Sequence, residues 1–364
     1  MTPRSSFGTT DPLRAINAPS REVWVDTAKG IAIILVVLFH AIIFTNRVDL
    51  AWLWPIPAGI LDTFRMPLFF FAAGLFASKA LRLSFVDLTR TRLLRLVWLY
   101  VLWSLIWAVV FTFVQIPGEG GSESPLLQFL LILVWPNPST WFVYGLALYF
   151  IAMWLMRRFP WWLQLGIGLA LALLFGTQTL MAENGALNKM GLYFLYFQLA
   201  VLSGAHARRW FARTRWWHAL LIVVIYAAAV VPMAKFDLLA LPFMRVIASL
   251  LAIATGCAIA VVLSRLRGFR WLSYLGSRTL PIYVLHFYPI LIFITLIQPI
   301  APDLMWAAPA IPLAVTVVAI LVSLGIHALT KRVPGLYTEP AFLSALFVAR
   351  PARTSEQSGP PQSV

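Results

Sequence analysis

Two histidines lie inside apolar stretches of the chain, where an ionisable side chain is costly to place. His40 is 13 residues beyond Thr27, so in a helix its ring would lie roughly 20 Å from the start of that stretch. His286 is seven residues beyond Thr279, about 10 Å deep by the same measure. A neutral imidazole can take a proton from a hydroxyl and return it, which makes His40 a candidate general base. A histidine that only links two helices by a hydrogen bond fits the same position.

Three further residues are candidates to assist these rings. Asp62 and Arg65 are one helical turn apart in the next apolar run, at a depth comparable to that of His40. They are placed to orient His40 or to contact a substrate, although a simple i,i+3 ion pair explains their spacing equally well. Tyr283 shares a helix face with His286. This pair suits closure of the site, a proton shuttle or aromatic packing.

A cluster of cations marks one end of the apolar runs. Arg90, Arg92 and Arg95 open one run, and Lys29 lies one turn inside the first. Arg92 and Arg95 share a helix face, and guanidinium groups bind phosphate oxygens in pairs. Cations also collect at cytoplasmic ends of spans without any ligand. Together with a deep proton acceptor, the cluster suits acyl-coenzyme A, with its phosphates at the arginines and its thioester near His40.

The elements that position these residues are long apolar segments. The chain has 364 residues, of which 61% are hydrophobic and 11% charged, against about 25% charged residues in soluble domains. This composition excludes an ordinary soluble globule and predicts an all-α, polytopic integral membrane bundle. Run 126–135 is too short to span a bilayer and is predicted to be re-entrant or interfacial. About ten transmembrane helices are predicted, at 27–45, 56–79, 93–115, 139–156, 161–180, 190–207, 216–234, 242–264, 279–299 and 306–329.

The distribution of Lys and Arg gives the orientation. Of 28 such residues, 23 fall at one set of alternate ends of the runs and five at the other, which predicts that both termini are cytoplasmic. The net charge of +15 therefore reflects topology rather than nucleic-acid binding. A single cysteine, Cys257, excludes an intrachain disulfide and a thiolate metal cluster. The predicted organisation is a cytoplasmic segment at 1–24, a membrane domain at 25–330 and a partly disordered cytoplasmic tail at 331–364.

Aromatic residues mark the outer end of the fourth run. Trp141 and Tyr144 lie there, where amphipathic rings ordinarily anchor a helix at the membrane interface. Such rings also stack on sugar rings. The sequence therefore predicts either an interfacial anchor or a contact with a saccharide.

Several of these segments resemble one family in chain order. The stretch VDTAKGIAIILVVLFHAIIF at 25–44 resembles the opening helix of the membrane-bound acyltransferase 3 family. Its Asp-x-Ala-Lys-Gly opening is similar to that of the fucose 4-O-acetylase-like subgroup. Four later stretches also resemble helices of the family: RMPLFFFAAGLF at 65–76, RLLRLVWLYVLW at 92–103, WFVYGLALYF at 141–150 and LGSRTLPIYVLHFYPI at 275–290.

The resemblance implies a multi-pass enzyme of the cell membrane that transfers an acyl group, usually acetyl from cytoplasmic acetyl-CoA, to a saccharide hydroxyl without a metal. His40 matches the family's first-helix histidine, which is regarded as catalytic, and Arg92 and Arg95 match its Arg-x-x-Arg pair. Lys29 stands where many members have arginine, and a lysine cannot form the planar fork. The implied partners are the bilayer, acyl-CoA and a saccharide acceptor. The alternative is a secondary transporter or exporter of a saccharide or lipid-linked intermediate.

Overall fold

The computed structural model describes residues 22–114 and 124–346, and every regular element within these residues is helical. Seven of its helical segments are long and apolar enough to cross a membrane. They are Val23–Asn46, Pro55–Gly74, Phe85–Phe113, Trp216–Lys235, Pro242–Ser264, Thr279–Ala307 and Ile311–Thr330. The all-helical prediction is confirmed for the described residues, and the apolar segments indicate a multi-pass membrane protein.

The α-helices are numbered in chain order. The first eight are α1 Val23–Asn46, α2 Pro55–Gly74, α3 Ala77–Ala80, α4 Phe85–Leu88, α5 Leu94–Phe113, α6 Pro125–Leu130, α7 Trp141–Met156 and α8 Trp161–Gly176. The next eight are α9 Gly185–Ala212, α10 Trp216–Lys235, α11 Pro242–Ser264, α12 Arg270–Gly276, α13 Thr279–Leu285, α14 Phe287–Ile297, α15 Ile311–Thr330 and α16 Ala341–Leu346.

Each of the ten predicted apolar runs contains a helix, but three of those helices fall outside the set of seven. Helices α7 and α8 are apolar with 16 residues each, so each is about 24 Å long, shorter than a hydrocarbon core of about 30 Å. Helix α9 has 28 residues and mixes polar with apolar side chains. The short run at 126–135 forms α6 and a following turn.

Helix α1 is the central element of the bundle. It packs against α2, α11, α12, α14 and α15, and more than half of its residues are buried. Helix α10 lies at the periphery, where Ala219 and Val230 are its buried residues. Most of its apolar surface is not covered by other helices, and such a surface is expected to face lipid.

Two irregular segments interrupt the regular helices. The predicted run at 279–299 is broken at His286, a turn residue between α13 and α14, and continues as the 3₁₀ segment Gln298–Ala307. A π-helical segment, Thr89–Leu93, precedes α5 and contains Arg90 and Arg92. Such π segments occur frequently at functional sites.

The beginning of the predicted tail packs on the bundle. The indoles of Trp98 and Trp103 donate hydrogen bonds to the carbonyl oxygens of Gly335 and Leu336, at 2.7 Å and 3.0 Å. The N-terminal residues 1–21 and the remainder of the tail at 347–364 lie outside the described residues, so the disorder predicted for the tail stays a prediction.

Candidate active site

The two deep histidines meet in the interior of the bundle. Nε2 of His286 lies 3.3 Å from Nδ1 of His40, and the two ring centroids are 5.0 Å apart. His286 is buried, whereas His40 is partly exposed. The ring of Phe287 packs at 5.8 Å from the His40 ring. Sequence spacing predicted two deep histidines, and the structure brings them into contact.

Neighbouring carbonyl groups determine where the ring protons lie. Nδ1 of His286 is 2.7 Å from the Tyr283 carbonyl oxygen, and Nδ1 of His40 is 2.8 Å from the Val36 carbonyl oxygen. A carbonyl only accepts, so both Nδ1 atoms carry a proton and Nε2 of a neutral His286 is an acceptor. His40 Nδ1–H is thus shared between Val36 and His286. Nε2 of His40 has no hydrogen-bond partner among the described residues, which leaves its lone pair available as a base.

A close helix contact sets the heights of the two histidines. A Cβ at Gly30 of α1 would collide with the Leu272 carbonyl, and one at Gly276 of α12 would collide with the Asp26 carbonyl. The two helices therefore touch backbone to backbone. His40 follows Gly30 by ten residues and His286 follows Gly276 by ten residues, so both rings lie at a similar distance from this contact. Because the two rings touch, they lie at the same height in the bundle, so the predicted depths of about 20 Å for His40 and about 10 Å for His286 cannot both be counted from one membrane edge.

Three of the four residues of the predicted basic cluster line one cavity of about 350 Å³, and Arg90 does not. Lys29, Arg92 and Arg95 contribute its cations. Lys29 also lies 4.0 Å from Asp26, and an Arg95 nitrogen donates a 3.4 Å hydrogen bond to the Tyr337 carbonyl oxygen. The rest of the lining is mostly apolar and aromatic: Phe69, Ala73, Thr91, Leu96, Leu99, Phe142, Val143, Leu146, Phe150, Thr279, Leu280 and Tyr283. Cations with an adjoining apolar wall suit a phosphate-bearing ligand that has an extended arm.

Tyr283 connects the basic cavity to the histidine pair. Its ring lines the cavity and lies 6.1 Å from the His286 ring. Its hydroxyl oxygen accepts a 3.1 Å hydrogen bond from the backbone N–H of Phe142 on α7. Neither histidine belongs to the described lining of the cavity, so the Tyr283 side chain stands between the cations and the candidate base.

Asp62 belongs to an ionic cluster beside the histidines. Arg65 donates to its carboxylate at 2.8 Å, Arg245 of α11 donates to its other oxygen, and the Tyr193 hydroxyl lies 3.4 Å from it. The Arg65 guanidinium stacks 3.6 Å from the centroid of the Phe39 ring. The i,i+3 ion pair considered from sequence is therefore present. No hydrogen bond joins Asp62 to His40 within the described residues.

Arg245 and Tyr193 were not candidates from the sequence. Arg245 is three residues inside α11, and a cation at that position near the outer end of a span was an available signal. Tyr193 gave no signal, because an aromatic residue in an apolar helix ordinarily packs.

The aromatic candidates of α7 are placed in the protein interior. Trp141 is 6% exposed, and its ring stacks on Tyr193 with centroids 6.1 Å apart. Tyr144 is partly buried and donates a 2.8 Å hydrogen bond to the Leu133 carbonyl oxygen. Trp141 is therefore packed inside the protein beside Tyr193.

Among the described residues, no group of three or more His, Cys, Asp or Glu side chains is arranged to hold a metal. Comparison with protein families matches residues 22–328 to a family model described as an acyltransferase domain. Comparisons with curated proteins and with solved structures give no match.

Proposed function

Since the chain belongs to the acyltransferase 3 family, we propose that it transfers an acyl group, acetyl in particular, from cytoplasmic acyl-CoA to a hydroxyl of a cell-surface or lipid-linked saccharide. The observation that carries this proposal is the order of groups along the interior. Tyr283 lines the basic cavity, its ring centroid lies 6.1 Å from that of His286, and His286 contacts His40. An extended donor with phosphates at one end and a thioester at the other fits that order.

The topology of the proposal is that of ten spans with both termini in the cytoplasm of a cell-membrane protein. The excess of 23 Lys and Arg residues over five on alternate sides supports it. In this orientation the basic cavity opens to the cytoplasm, where acyl-CoA is present, and His40 lies in the outer half of the membrane. The Asp-x-Ala-Lys-Gly opening is the basis for proposing the fucose 4-O-acetylase-like subgroup.

Donor binding is assigned to the basic cavity. Arg92 and Arg95 are proposed to bind the phosphates through paired hydrogen bonds, with the Lys29 ammonium adding a point charge. The pantetheine arm would follow the apolar wall towards Tyr283. Lys29 and His40 are eleven residues apart on α1, about 17 Å along the axis, so the thioester must extend well beyond the phosphates to reach the base.

The proposed reaction uses Nε2 of His40 as the base. It takes the proton of the acceptor hydroxyl while the oxygen attacks the thioester carbonyl. The tetrahedral intermediate then expels the sulfur of coenzyme A, which takes the proton from the His40 imidazolium and leaves as a thiol. His286 accepts the Nδ1–H of His40 and so holds the ring in the required tautomer.

The remaining candidates are assigned to the acceptor and to positioning. Asp62 is proposed to fix Arg65, and Arg65 to bind the acceptor beside the histidines. Trp141, Tyr144 and Tyr283 would shape the space in which the hydroxyl meets the thioester.

The direct test is a transfer assay with the full-length protein in lipid nanodiscs. Radiolabelled acetyl-CoA is supplied with and without a panel of glycans, and both label transfer and release of the coenzyme A thiol are measured. The enzyme proposal predicts thiol release that depends on the acceptor. Passage of a saccharide across proteoliposomes without thiol release would instead support the transporter, which the family assignment does not favour.

A further inference from the structure

A second cavity lies between the start of α7 and the start of α9. It has a volume of about 210 Å³, which suits one pyranose ring. Trp135 and Trp141 supply aromatic faces, and Glu183 and Lys189 supply charged groups. Aromatic platforms beside hydrogen-bonding groups are the usual chemistry of a sugar site, since C–H faces stack on the rings and hydroxyls bond to the polar atoms.

Packing connects this cavity to the residues around the reaction site. The ring of Trp141 stacks on Tyr193, and the Tyr193 hydroxyl lies 3.4 Å from Asp62. Lys189 is close enough for its charge to act on His40, Asp62 and Arg65. The cavity is therefore joined by packing to the ionic cluster of Asp62, which lies beside the histidines.

Lys189 is the cation among the described lining residues of the cavity. It forms no ion pair within residues 22–114 and 124–346, and its ammonium lies 5.7 Å from the centroid of the Trp141 ring. Arg65 and Arg245, by contrast, both pair with Asp62. Cations are disfavoured at the outer ends of spans, so an unpaired one that faces a cavity points to an anionic ligand.

Glu183 does not cancel this charge. Both side chains are exposed, Glu183 just before α9 and Lys189 as the fifth residue of that helix. No ion pair joins them among the described residues, so the ammonium stays available to a ligand.

We propose that this cavity binds the acceptor and selects a saccharide residue that carries a carboxylate, with Lys189 as the ion-pair partner and Trp135 and Trp141 as the stacking faces. This rests on the proposed acyltransferase function and adds the chemical class of its acceptor. The carboxylate binds Lys189, and the hydroxyl to be acylated then faces His40.

Binding, measured apart from turnover, tests the proposal. Full-length protein in nanodiscs is dialysed against labelled oligomers of galacturonate, glucuronate and N-acetylneuraminate, each paired with its carboxyl-reduced counterpart. At least one acidic oligomer is expected to bind about tenfold more tightly than its reduced partner, because a charged hydrogen bond contributes that much. Salt should reduce this preference.

Lys189→Gln should remove the preference and leave binding of the reduced sugar unchanged. Lys235→Gln is the matched control, since Lys235 is a second lysine at an outer end, 6.0 Å from the centroid of the Phe236 ring, and does not line the cavity. Equal binding of every acidic and reduced pair, or equal effects of the two variants, would overturn the proposal. Acceptor-dependent thiol release with neutral glycans would then still support the enzyme, whereas carboxylate binding through Lys189 without any thiol release would keep the site and reject the enzyme.

Discussion

The reactivity assigned to His40 depends on which of its ring nitrogens is occupied. Nδ1 is held by the Val36 carbonyl and by His286, and this leaves Nε2 to accept a proton. His40→Ala should therefore lower acceptor-dependent thiol release by about 10² to 10⁴-fold, the range typical of a proton-transfer group. Turnover of the purified variant in nanodiscs is the measurement.

His206→Ala is the matched control for that substitution. His206 is exposed near the end of α9 and makes no contact with the histidine pair. Its removal should leave turnover within twofold of the parent protein. Normal turnover of His40→Ala would refute the base assignment, and equal losses in both variants would indicate a general effect on the membrane protein.

Donor affinity is expected to depend on the guanidinium of Arg92. Arg92→Ala should raise the acyl-CoA KM by about 10 to 100-fold with little change in kcat, because a charge-assisted hydrogen bond to phosphate contributes about 1.5–3 kcal/mol. Arg92→Lys keeps the charge but loses the planar fork, so an intermediate KM is expected. Initial rates over a range of acetyl-CoA concentrations provide the measurement.

Arg90 supplies the comparison, since it shares the π segment but does not line the cavity. It lies 3.9 Å from Asp87, a pair on the same segment of chain. Arg90→Ala should leave the KM unchanged. If both alanine variants shift the KM equally, the cations at this end act only in topology, as the positive-inside rule allows.

At the scale of elements, the contact between α1 and α12 fixes the histidine pair. Gly276→Ala would place a methyl group against the Asp26 carbonyl and push the two helices apart, at a cost of about 1–3 kcal/mol for overpacking. Nε2 of His286 would then withdraw from His40, so kcat should fall while the donor KM changes little. Steady-state kinetics and a thermal unfolding curve together measure the effect.

Gly268→Ala is the control, because a Cβ at Gly268 meets nothing within 4 Å. It should leave both kcat and the unfolding temperature unchanged. A Gly276→Ala protein that unfolds at a lower temperature yet retains full kcat would show that the contact stabilises the bundle without setting the histidine geometry.

Helical spacing explains which parts of the site were predictable. Along one helix, residue number fixes depth and face, so the separation of Lys29 and His40 on α1 could be predicted from the sequence. Arg92 and Arg95 line one cavity as a pair, although Arg92 lies in the π segment and Arg95 in α5. The relative height of two helices depends on contacts between them, such as that of Gly30 with α12, and these have no periodic signal. For this reason the sequence did not predict the contact of His40 with His286 or the ion pair of Asp62 with Arg245.

At the scale of the whole molecule, the number of membrane crossings depends on three helices. Helices α7 and α8 are each about 24 Å long, and a bilayer of about 30 Å can thin locally or leave flanking residues at the interface to accommodate them. If α7, α8 and α9 all cross, the loops between them alternate sides. If none of them crosses, both loops lie on the same side of the membrane as the start of α7 and the end of α9.

Cysteine accessibility separates these two topologies. The chain has one cysteine, Cys257, and it is buried, so single cysteines added at exposed positions report on their own side. In intact cells an impermeant maleimide should label Thr179→Cys, between α8 and α9, and should reach Arg158→Cys and Arg213→Cys only after permeabilisation. This pattern follows from ten spans, because positions 158 and 213 belong to the cation-rich side. Equal labelling of all three in intact cells would remove α7, α8 and α9 from the membrane-crossing set. Arg92 before α5 would keep its side in either topology, because it precedes all three helices.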